Sequence, residues 1–292
     1  MHRLARELAV QLGFECASDP EREIGGSSAH RCYRWRSAEG VLFVKTAQAQ
    51  ASARLAAEAA GLKALTEAHA LRVPQVRAQG VAGDDAFLAL AWIEARPNTA
   101  DSERQLGRGL AALHAVQAEQ FGWNDDNYIG RSPQLNGRCE SWAVFWRERR
   151  LRPQLELAMH HGYGRLLEAP GARVLEAVEA LLAGHQPAPS LLHGDLWAGN
   201  WSTDIEGQPV IFDPAVYYGD RETDLAMTRL FGGFDAVFYA AYEDAAPLPD
   251  GHALRADLYN LYHVLNHANL FGGGYVEQAR ILIERLLAHV HG

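Results

Sequence analysis

The hydrophobic positions divide the chain into a mixed first part and a mostly helical second part. Up to about residue 94, the pattern predicts a helix at 2–13, strands on both sides of a turn within 24–35, a strand at 41–46, a helix at 51–68 and strands at 75–82 and 86–93. Strands joined by short turns pair antiparallel. We therefore expect a small antiparallel sheet with a helix packed against it.

Beyond residue 98 the period changes to that of helices. Helices are predicted at 101–118, 139–160, 171–184, 222–231, 234–244, 253–270 and 275–291. Only 201–213 has the pattern of a hairpin, with EGQ at its turn. These patterns indicate an α+β protein with two lobes, a sheet-rich lobe at 1–94 and a larger helical lobe at 95–292.

Composition and charge narrow the classes of partner. The chain has 292 residues and a formal net charge of −9, which argues against binding to nucleic acid. Its longest apolar run, 86–93, is far too short to span a bilayer, so no membrane association is expected. Three scattered cysteines (Cys16, Cys32 and Cys139) do not suggest a disulfide framework, which makes a reducing cytoplasm the expected location.

The stretch LLHGDLWAGN at 191–200 carries the strongest chemical signal. Asp195 and Asn200 are five residues apart, the spacing of the catalytic loop H-R-D-x-x-x-x-N, in which the Asp accepts a hydroxyl proton and the Asn binds magnesium. Asp213 follows the next predicted hairpin and is the candidate second metal ligand. Each residue alone could simply end a strand or form a turn. Together they favour a site of phosphoryl transfer.

Lys45 ends a predicted strand, where a kinase-like lobe carries the lysine that contacts the α- and β-phosphates. Glu58 shares a helical stripe with Leu55 and Leu62, and a buried carboxylate needs a partner. We therefore predict a Lys45–Glu58 ion pair. The alternatives are an edge-strand lysine and a glutamate that extends to solvent.

A glycine-rich turn precedes the Lys45 strand. It is formed by Gly25, Gly26, Ser27 and Ser28. Glycines let backbone N–H groups approach phosphates closely, so this turn is predicted to cover the nucleotide phosphates. Taken alone, it could be a plain hairpin turn.

Several long stretches resemble one family. They are LLHGDLWAGN (191–200), VIFDPAVYYGDRETDLAM (210–227), LYNLYHVLNHANLFGGGY (258–275), FGWNDDNYIGRSPQLNG (121–137) and WRERRLRPQLELA (146–158). These stretches resemble the fructosamine kinase (ketoamine-3-kinase) family of the two-lobed protein-kinase-like superfamily, which also contains aminoglycoside and choline kinases. The resemblance covers nearly the whole chain. It departs from the family pattern at positions 29 and 30, where the family more often has an aliphatic residue and Asn. It departs again at Ala91, where the family tends to have an acidic residue.

The resemblance implies an ATP- and Mg²⁺-dependent kinase that phosphorylates the sugar C3 hydroxyl of a ketoamine. Adenine would be held between the lobes by the backbone of Ala91, Trp92 and Ile93. Trp197 would contact the sugar, and His267 is a further candidate in the substrate pocket. For these two side chains the alternatives are a hydrophobic plug and a packed helix histidine. The expected partners are ATP and a free or protein-bound ketoamine, with the chain a monomer or weak dimer.

Two other functions remain open at this point. One is a kinase for another small hydroxyl substrate, such as an aminoglycoside or choline, against which the HGDLW and DPAVYYGDRE stretches argue. The other is a non-catalytic nucleotide-binding module. The intact set of Lys45, Asp195, Asn200 and Asp213 argues against that alternative.

Four further features of the sequence are expected to have structural and not catalytic roles. His193 and Asp224 are expected to brace the loop that carries Asp195. Cys32 is expected to be a small core residue, with a redox-sensitive site beside the nucleotide as the alternative. The arginines within 146–152 occupy several helix faces and are expected to form mostly a solvated surface.

Overall fold

The computed structural model describes residues 1–27 and 30–291, apart from the side chains of 25–27 and 291. The first part of the chain forms an antiparallel sheet with the strand order β1-β2-β3-β5-β4. Its strands are β1 (Arg22–Ser27), β2 (His30–Ser37), β3 (Gly40–Gln48), β4 (Val76–Ala82) and β5 (Asp85–Ala91). The sequence predicted this antiparallel sheet.

One helix packs on each face of the sheet. They are α1 (His2–Leu12) and α2 (Ser52–Glu67), the latter preceded by a 3₁₀ turn at Ala49–Ala51. Side chains alternate between the faces of a strand. Phe87 of β5 accordingly belongs to the same buried cluster as Leu8 of α1, whereas the next residue, Leu88, belongs to the cluster of Leu62 on α2. This second cluster packs α2 against β5, the neighbour of β3, which carries Lys45.

The remaining chain is mainly helical, as predicted. Its helices are α3 (Ala100–His114), α4 (Trp142–Phe145), α5 (Arg152–His160), α6 (Gly164–Leu181), α7 (Glu222–Leu230), α8 (Ala236–Ala245), α9 (His252–Phe271) and α10 (Gly274–His291). Its short strands are β6 (Ala95–Arg96), β7 (Asn127–Ile129), β8 (Ser132–Gln134), β9 (Ser190–Leu192), β10 (Trp201–Asp204), β11 (Pro209–Ile211) and β12 (Tyr217–Gly219). The main core of this lobe lies among α5, α6, α9 and α10.

The sequence underestimated the strands of this lobe. The predicted hairpin at 201–213 is present as β10 and β11, but β7 also pairs with β8, β9 pairs with β12, and β6 pairs with β10. Strands of two or three residues are too short to show an alternating pattern. These strands therefore depend on tertiary pairing, and the local sequence pattern does not predict them.

Three predicted helices differ clearly from the structure, and the smallest of these differences is that α3 ends at His114 and not at residue 118. The single helix expected at 139–160 contains a π-helical segment, Trp146–Leu151, which separates α4 from α5. Helix α6 begins at Gly164 and not at residue 171, and it contains Pro170. A proline usually marks a helix start or break, so the pattern placed the boundary directly after it.

Arg150 contradicts the prediction of a solvated arginine surface. Its side chain is fully buried, although its neighbour Arg149 is exposed. Nη1 donates to the carbonyl oxygen of Leu135 at 2.5 Å, and Nη2 donates to Oδ1 of Asn136 at 2.8 Å. The guanidinium also lies 3.9 Å from the ring centroid of Tyr217, a cation–π distance. Arg150 therefore joins the π-helical segment to the segment that follows β8.

We expect Arg150→Ala to lower the free energy of unfolding by about 3 kcal/mol, because it leaves buried acceptors without a donor and opens a cavity. Arg149→Ala is the matched control and should change stability by about 0.5 kcal/mol or less. Urea unfolding of both variants measures the difference. Equal effects of the two substitutions would show that the buried contacts of Arg150 contribute little.

Two observations concern the environment of the chain. Cys16, Cys32 and Cys139 are all free thiols, and Cys32 is buried against the sheet as a small core residue. Within residues 1–27 and 30–291, the helices lack the combination of length and apolar character that crossing a membrane requires.

Candidate active site

The loop after β9 begins with a turn that only glycine fits. Gly194 has φ 83°, and a Cβ on this residue would lie 2.0 Å from the carbonyl oxygen of Ala215. The two strands that flank this contact, β9 and β12, are paired through Leu192 and Tyr217. The buried strand thus fixes where the loop starts, and the glycine lets it turn so that Asp195 follows at once.

Asp224 braces this loop, as the sequence predicted. Its two carboxylate oxygens accept hydrogen bonds from the backbone N–H groups of His193 (2.7 Å) and Gly194 (2.8 Å). Burial alone would raise the pKa of Asp224, but the bond with His114 and the nearby donors lower it overall. His193 also braces the loop, because its Nε2 bonds to the carbonyl oxygen of Phe212 at 3.0 Å.

Asn200 lies against Asp195. Its Nδ2 donates to the Asp195 carbonyl oxygen at 2.8 Å and lies 3.4 Å from Oδ2 of the Asp195 carboxylate. The pKa of Asp195 is raised to about 7, mainly by burial and also by the negative charges of Asp213 and Asp224, against the hydrogen bond from Asn200. The Asp195 carboxylate is therefore a stronger base than an exposed aspartate.

Asp213 adopts the left-handed conformation, with φ 57°. Few residues other than glycine do so, and such conformations concentrate at functional sites. The turn directs its carboxylate towards Lys45, whose Nζ lies 2.5 Å from Oδ1. Lys45 is thus brought to the loop that follows the β10–β11 hairpin, although the two residues lie in different lobes.

The predicted contact between Lys45 and Glu58 forms, with Nζ at 2.7 Å from Oε1. Burial opposes the charge on Lys45, but the two carboxylates that contact it outweigh burial and raise its pKa. The ammonium is therefore protonated at neutral pH. Gly61 lies one turn after Glu58 and allows α2 to approach Pro214 closely, since a Cβ there would lie 3.1 Å from Cγ of Pro214.

The oxygen donors near Asp213 suit a magnesium ion. Asn200 uses its amide nitrogen on Asp195, which leaves its carbonyl oxygen available, and Asp213 has a second carboxylate oxygen beyond the one that contacts Lys45. Mg²⁺ prefers such carboxylate and amide oxygens. The crowding of negative charge that raises the pKa of Asp195 is also what a divalent cation would relieve. The residues present therefore fit the metal.

These groups open into one cavity of about 330 Å³. Asp195, Asn200, Asp213, Lys45 and Glu58 line it, together with both predicted substrate residues, Trp197 and His267. His267 is half-buried, and its Nδ1 bonds to the carbonyl oxygen of His263 at 2.8 Å. The structure thus brings together the predicted catalytic, metal and substrate residues.

The remaining residues that were predicted to bind the nucleotide are not among the described residues that line this cavity. Gly25, Gly26 and Ser27 belong to β1 and not to a turn, while Ser28 lies outside the described residues. Ala91, Trp92 and Ile93 are not among the described residues that line the cavity of Asp195. The backbone nitrogens of Ala91 and Trp92 donate to the carbonyl oxygens of Gln75 and Val41.

The β7–β8 hairpin also lines the cavity, although the sequence pattern indicated no role for it. Asn127 at its base donates to the Val216 carbonyl oxygen at 2.7 Å, and Gln134 donates to the Ala215 carbonyl oxygen at 3.1 Å. Both side chains are buried. The sequence signal that could have indicated this hairpin is the pair of amides, Asn127 and Gln134, on either side of the glycine-containing stretch YIGRSP. This hairpin is thereby anchored to the segment that follows Asp213.

The two lobes and the geometry around the catalytic loop define a class of protein, the protein-kinase-like phosphotransferases. The sequence matches the profile of the family described as fructosamine kinase over residues 1–289. The chain belongs to the fructosamine kinase family.

Named relatives agree with this assignment. A probable ketoamine kinase of Synechocystis sp. is 43% identical over 285 residues, which cover 97% of this chain and 96% of the relative. A chloroplastic protein-ribulosamine 3-kinase of Oryza sativa subsp. indica is 37% identical over 90% of this chain and 78% of its own length. The crystal structure of a candidate fructosamine-3-kinase of Thermobifida fusca has a TM-score of 0.86 and 34% identity, and it covers 99% of each chain.

The fold extends to more distant phosphotransferases. An aminoglycoside phosphotransferase, in a ternary complex with AMP-PNP and hygromycin B, has a TM-score of 0.63 at 16% identity, with 99% of this chain and 98% of the other covered. At this identity the likeness concerns the fold alone. The family membership identifies the chain as an ATP-dependent phosphotransferase.

Proposed function

We propose that the protein transfers the γ-phosphoryl group of ATP to the C3 hydroxyl of a ketoamine, a sugar joined to an amine by glycation. Phosphorylation at this position makes the adduct labile and so promotes deglycation. One observation carries the proposal: the Asp195 carboxylate opens into the same cavity as Lys45, Asp213 and Trp197. The family and the names of the relatives support the substrate class.

Asp195 is the proposed catalytic base. It orients the sugar hydroxyl and takes its proton as the phosphoryl group is transferred. A base is most effective when its pKa lies near the working pH, and the pKa of Asp195 is raised to about 7, mainly by burial. Lys45 holds the phosphates, and Glu58 keeps the ammonium in place through the 2.7 Å contact.

Asn200 and Asp213 are the proposed Mg²⁺ ligands. When bound, the ion neutralises negative charge on the phosphate oxygens. The two residues contribute oxygen donors from either end of the β10–β11 hairpin, and the left-handed backbone at Asp213 presents its carboxylate to the cavity. This arrangement supports a magnesium-dependent reaction.

The nucleotide is proposed to lie between a small lobe at 1–94 and a large lobe at 95–292. The pairing of β6, at Ala95–Arg96, with β10 supports this division, because it ties the chain to the large lobe from residue 95 onwards. The segment Gly25–Ser28 is proposed to cover the phosphates. The backbone of Ala91, Trp92 and Ile93 is proposed to hold adenine through groups that the sheet leaves available.

Trp197 is proposed to cover one face of the sugar, with His267 nearby. Two residues after the base, the Trp197 side chain is 38% exposed and lines the cavity. An indole can cover the C–H face of a sugar while polar groups orient its hydroxyls. The ketoamine is proposed to be free or protein-bound, the location cytoplasmic and the chain a monomer or weak dimer. The three free thiols support the location.

An ATP-consumption screen across ketoamines, kanamycin-type aminoglycosides and choline tests the proposed function. We expect turnover with ketoamines alone. Trp197→Ala should lower kcat/KM for a ketoamine by at least about tenfold, because the sugar loses its apolar contact, while ATP affinity stays nearly unchanged. Product analysis by NMR should place the phosphate on C3.

Two outcomes would contradict the proposed function or the proposed role of Trp197. Efficient aminoglycoside phosphorylation without ketoamine turnover would overturn the proposed function. Full ketoamine turnover by Trp197→Ala would leave the function in place and remove Trp197 from the substrate site.

A further inference from the structure

Beside the candidate active site lies a group of five rings, Trp197, Phe231, His267, Phe271 and Tyr275, here called the aromatic cluster. His267 lies at its centre, with ring centroids 4.8 Å from Phe231, 5.6 Å from Phe271 and 5.2 Å from Tyr275. Trp197 meets Phe231 edge-on at 6.3 Å. The cluster therefore continues from the catalytic loop to the end of α9 without a gap.

Three rings of the aromatic cluster are exposed to solvent. Trp197, Phe231 and Phe271 have exposed fractions of 38%, 41% and 65%, and every exposed Trp or Phe among the described residues is in this group. Large apolar side chains gathered at the surface commonly mark a site of recognition. Trp197, His267 and Phe271 also line the cavity that contains Asp195, so whatever contacts the cluster continues into the active site.

We propose that the aromatic cluster binds the protonated secondary amine of the ketoamine and the first carbons of the amine substituent. This proposal rests on the proposed function. In a ketoamine the nitrogen is attached to C1, two carbons from the reacting C3 hydroxyl. When that hydroxyl reaches Asp195, the amine must lie close by. Trp197, His267 and Phe271 line the cavity that contains Asp195, so an amine substituent that extends from the bound sugar can contact the cluster.

The chemistry of the rings suits this ligand. Aromatic faces attract alkylammonium groups through their quadrupole and also cover the adjoining methylene groups. Burial lowers the pKa of His267, so the central imidazole is neutral at physiological pH and does not repel a cation. The charged side chains that line the cavity are balanced, with Glu58, Asp195 and Asp213 against Lys45, Arg54 and Arg131. The cluster would thus distinguish a ketoamine from a free ketose, which has no ammonium group.

The test compares two substrates that differ only in the group joined to C1, a charged ammonium or an uncharged ether oxygen. They are 1-deoxy-1-(butylamino)fructose, which carries the ammonium, and 1-O-butylfructose, an uncharged ether with the same sugar and chain length. The unmodified protein should have a KM at least about fivefold lower for the amine than for the ether. Phe271→Ala and Phe271→Leu should each raise the KM for the amine by about fivefold, with kcat within about twofold.

Phe271→Leu is the decisive variant, because it keeps an apolar side chain and removes the aromatic face. It should leave the KM for the ether nearly unchanged. Ile205→Ala is the matched control: Ile205 is 63% exposed, comparable to Phe271, and lies in the β10–β11 turn away from the cluster. Its kinetic constants should equal those of the unmodified protein. Because Phe271 is largely exposed, loss of folding is not expected from its replacement, and Phe231→Leu provides an independent second variant.

The outcomes separate this proposal from the proposed function. If the unmodified protein phosphorylates both compounds with equal KM, or if Phe271→Leu and Phe231→Leu both keep the preference for the amine, the role of the cluster is refuted while the kinase function stands. If neither compound nor any other ketoamine is phosphorylated, the proposed function fails and the role of the cluster fails with it.

Discussion

Asp195→Asn should retain ATP binding and lose nearly all turnover, with kcat lower by roughly 10²–10⁴-fold. The amide has almost the same shape and keeps contact with Asn200, but it cannot accept the proton of the sugar hydroxyl. Steady-state kinetics with a ketoamine and calorimetry with ATP measure the two effects. Turnover within about fivefold of the unmodified protein would contradict the role of Asp195 as base.

The same variant also tests the raised pKa of Asp195. The pKa of Asp195 rises from its ordinary value of 3.8 to about 7 on folding, so the folded state holds a proton that the unfolded state has released. The stability of the unmodified protein should therefore fall as the pH rises from about 4 to about 7. Asp195→Asn should lack this loss and, without metal, unfold at a higher temperature than the unmodified protein at pH 8 but not at pH 4. A shared pH dependence of both melting temperatures would contradict the raised pKa.

Asp213→Ala should abolish the gain in ATP affinity that magnesium provides, whereas Asn200→Ala should only weaken it. Both residues offer an oxygen ligand, but only Asp213 also contributes a negative charge. Calorimetric titration of ATP with and without Mg²⁺ gives the gain as a ratio of two dissociation constants. A gain that survives in Asp213→Ala would place the metal ligand elsewhere.

Two controls support the interpretation of that result. Alanine at position 213 is strained by the left-handed backbone, which asparagine tolerates well. Asp213→Asn therefore separates loss of charge from loss of conformation, and we expect a gain between those of the alanine variant and the unmodified protein. Asp250→Ala, at an exposed position outside the cavity, should keep the full gain.

The residues around the catalytic loop could be predicted because their pattern is local. Asp195 and Asn200 belong to one loop, and Asp213 follows a hairpin that the sequence indicates clearly. The contact between Lys45 and Glu58 could be predicted for a related reason, since the helical stripe of Leu55 and Leu62 places the glutamate on the buried face of α2. The overall division into a sheet lobe and a helical lobe followed from the change in hydrophobic period.

What the sequence missed depends on contacts between distant segments. Arg150 looks like any other arginine of a charged helix, and its burial arises from Tyr217 and from the chain after β8. The β7–β8 hairpin has strands too short for a periodic pattern, although its tip lines the cavity. Phe271 ends a helix as an ordinary apolar residue would. Its contact with His267 is a local i, i+4 contact on α9, but its position next to Tyr275 becomes apparent only when α9 and α10 pack together.

The two contacts of Lys45 couple the binding of the metal to the binding of the nucleotide. The single ammonium of Lys45 contacts both Glu58 and Asp213, so it balances negative charge on the carboxylate that is proposed to bind the metal. A metal ion arriving alone competes with a covalently tethered charge, and a nucleotide that attracts the ammonium to its phosphates removes this competitor. Metal and nucleotide binding are then thermodynamically linked, so each raises the affinity of the protein for the other by the same factor.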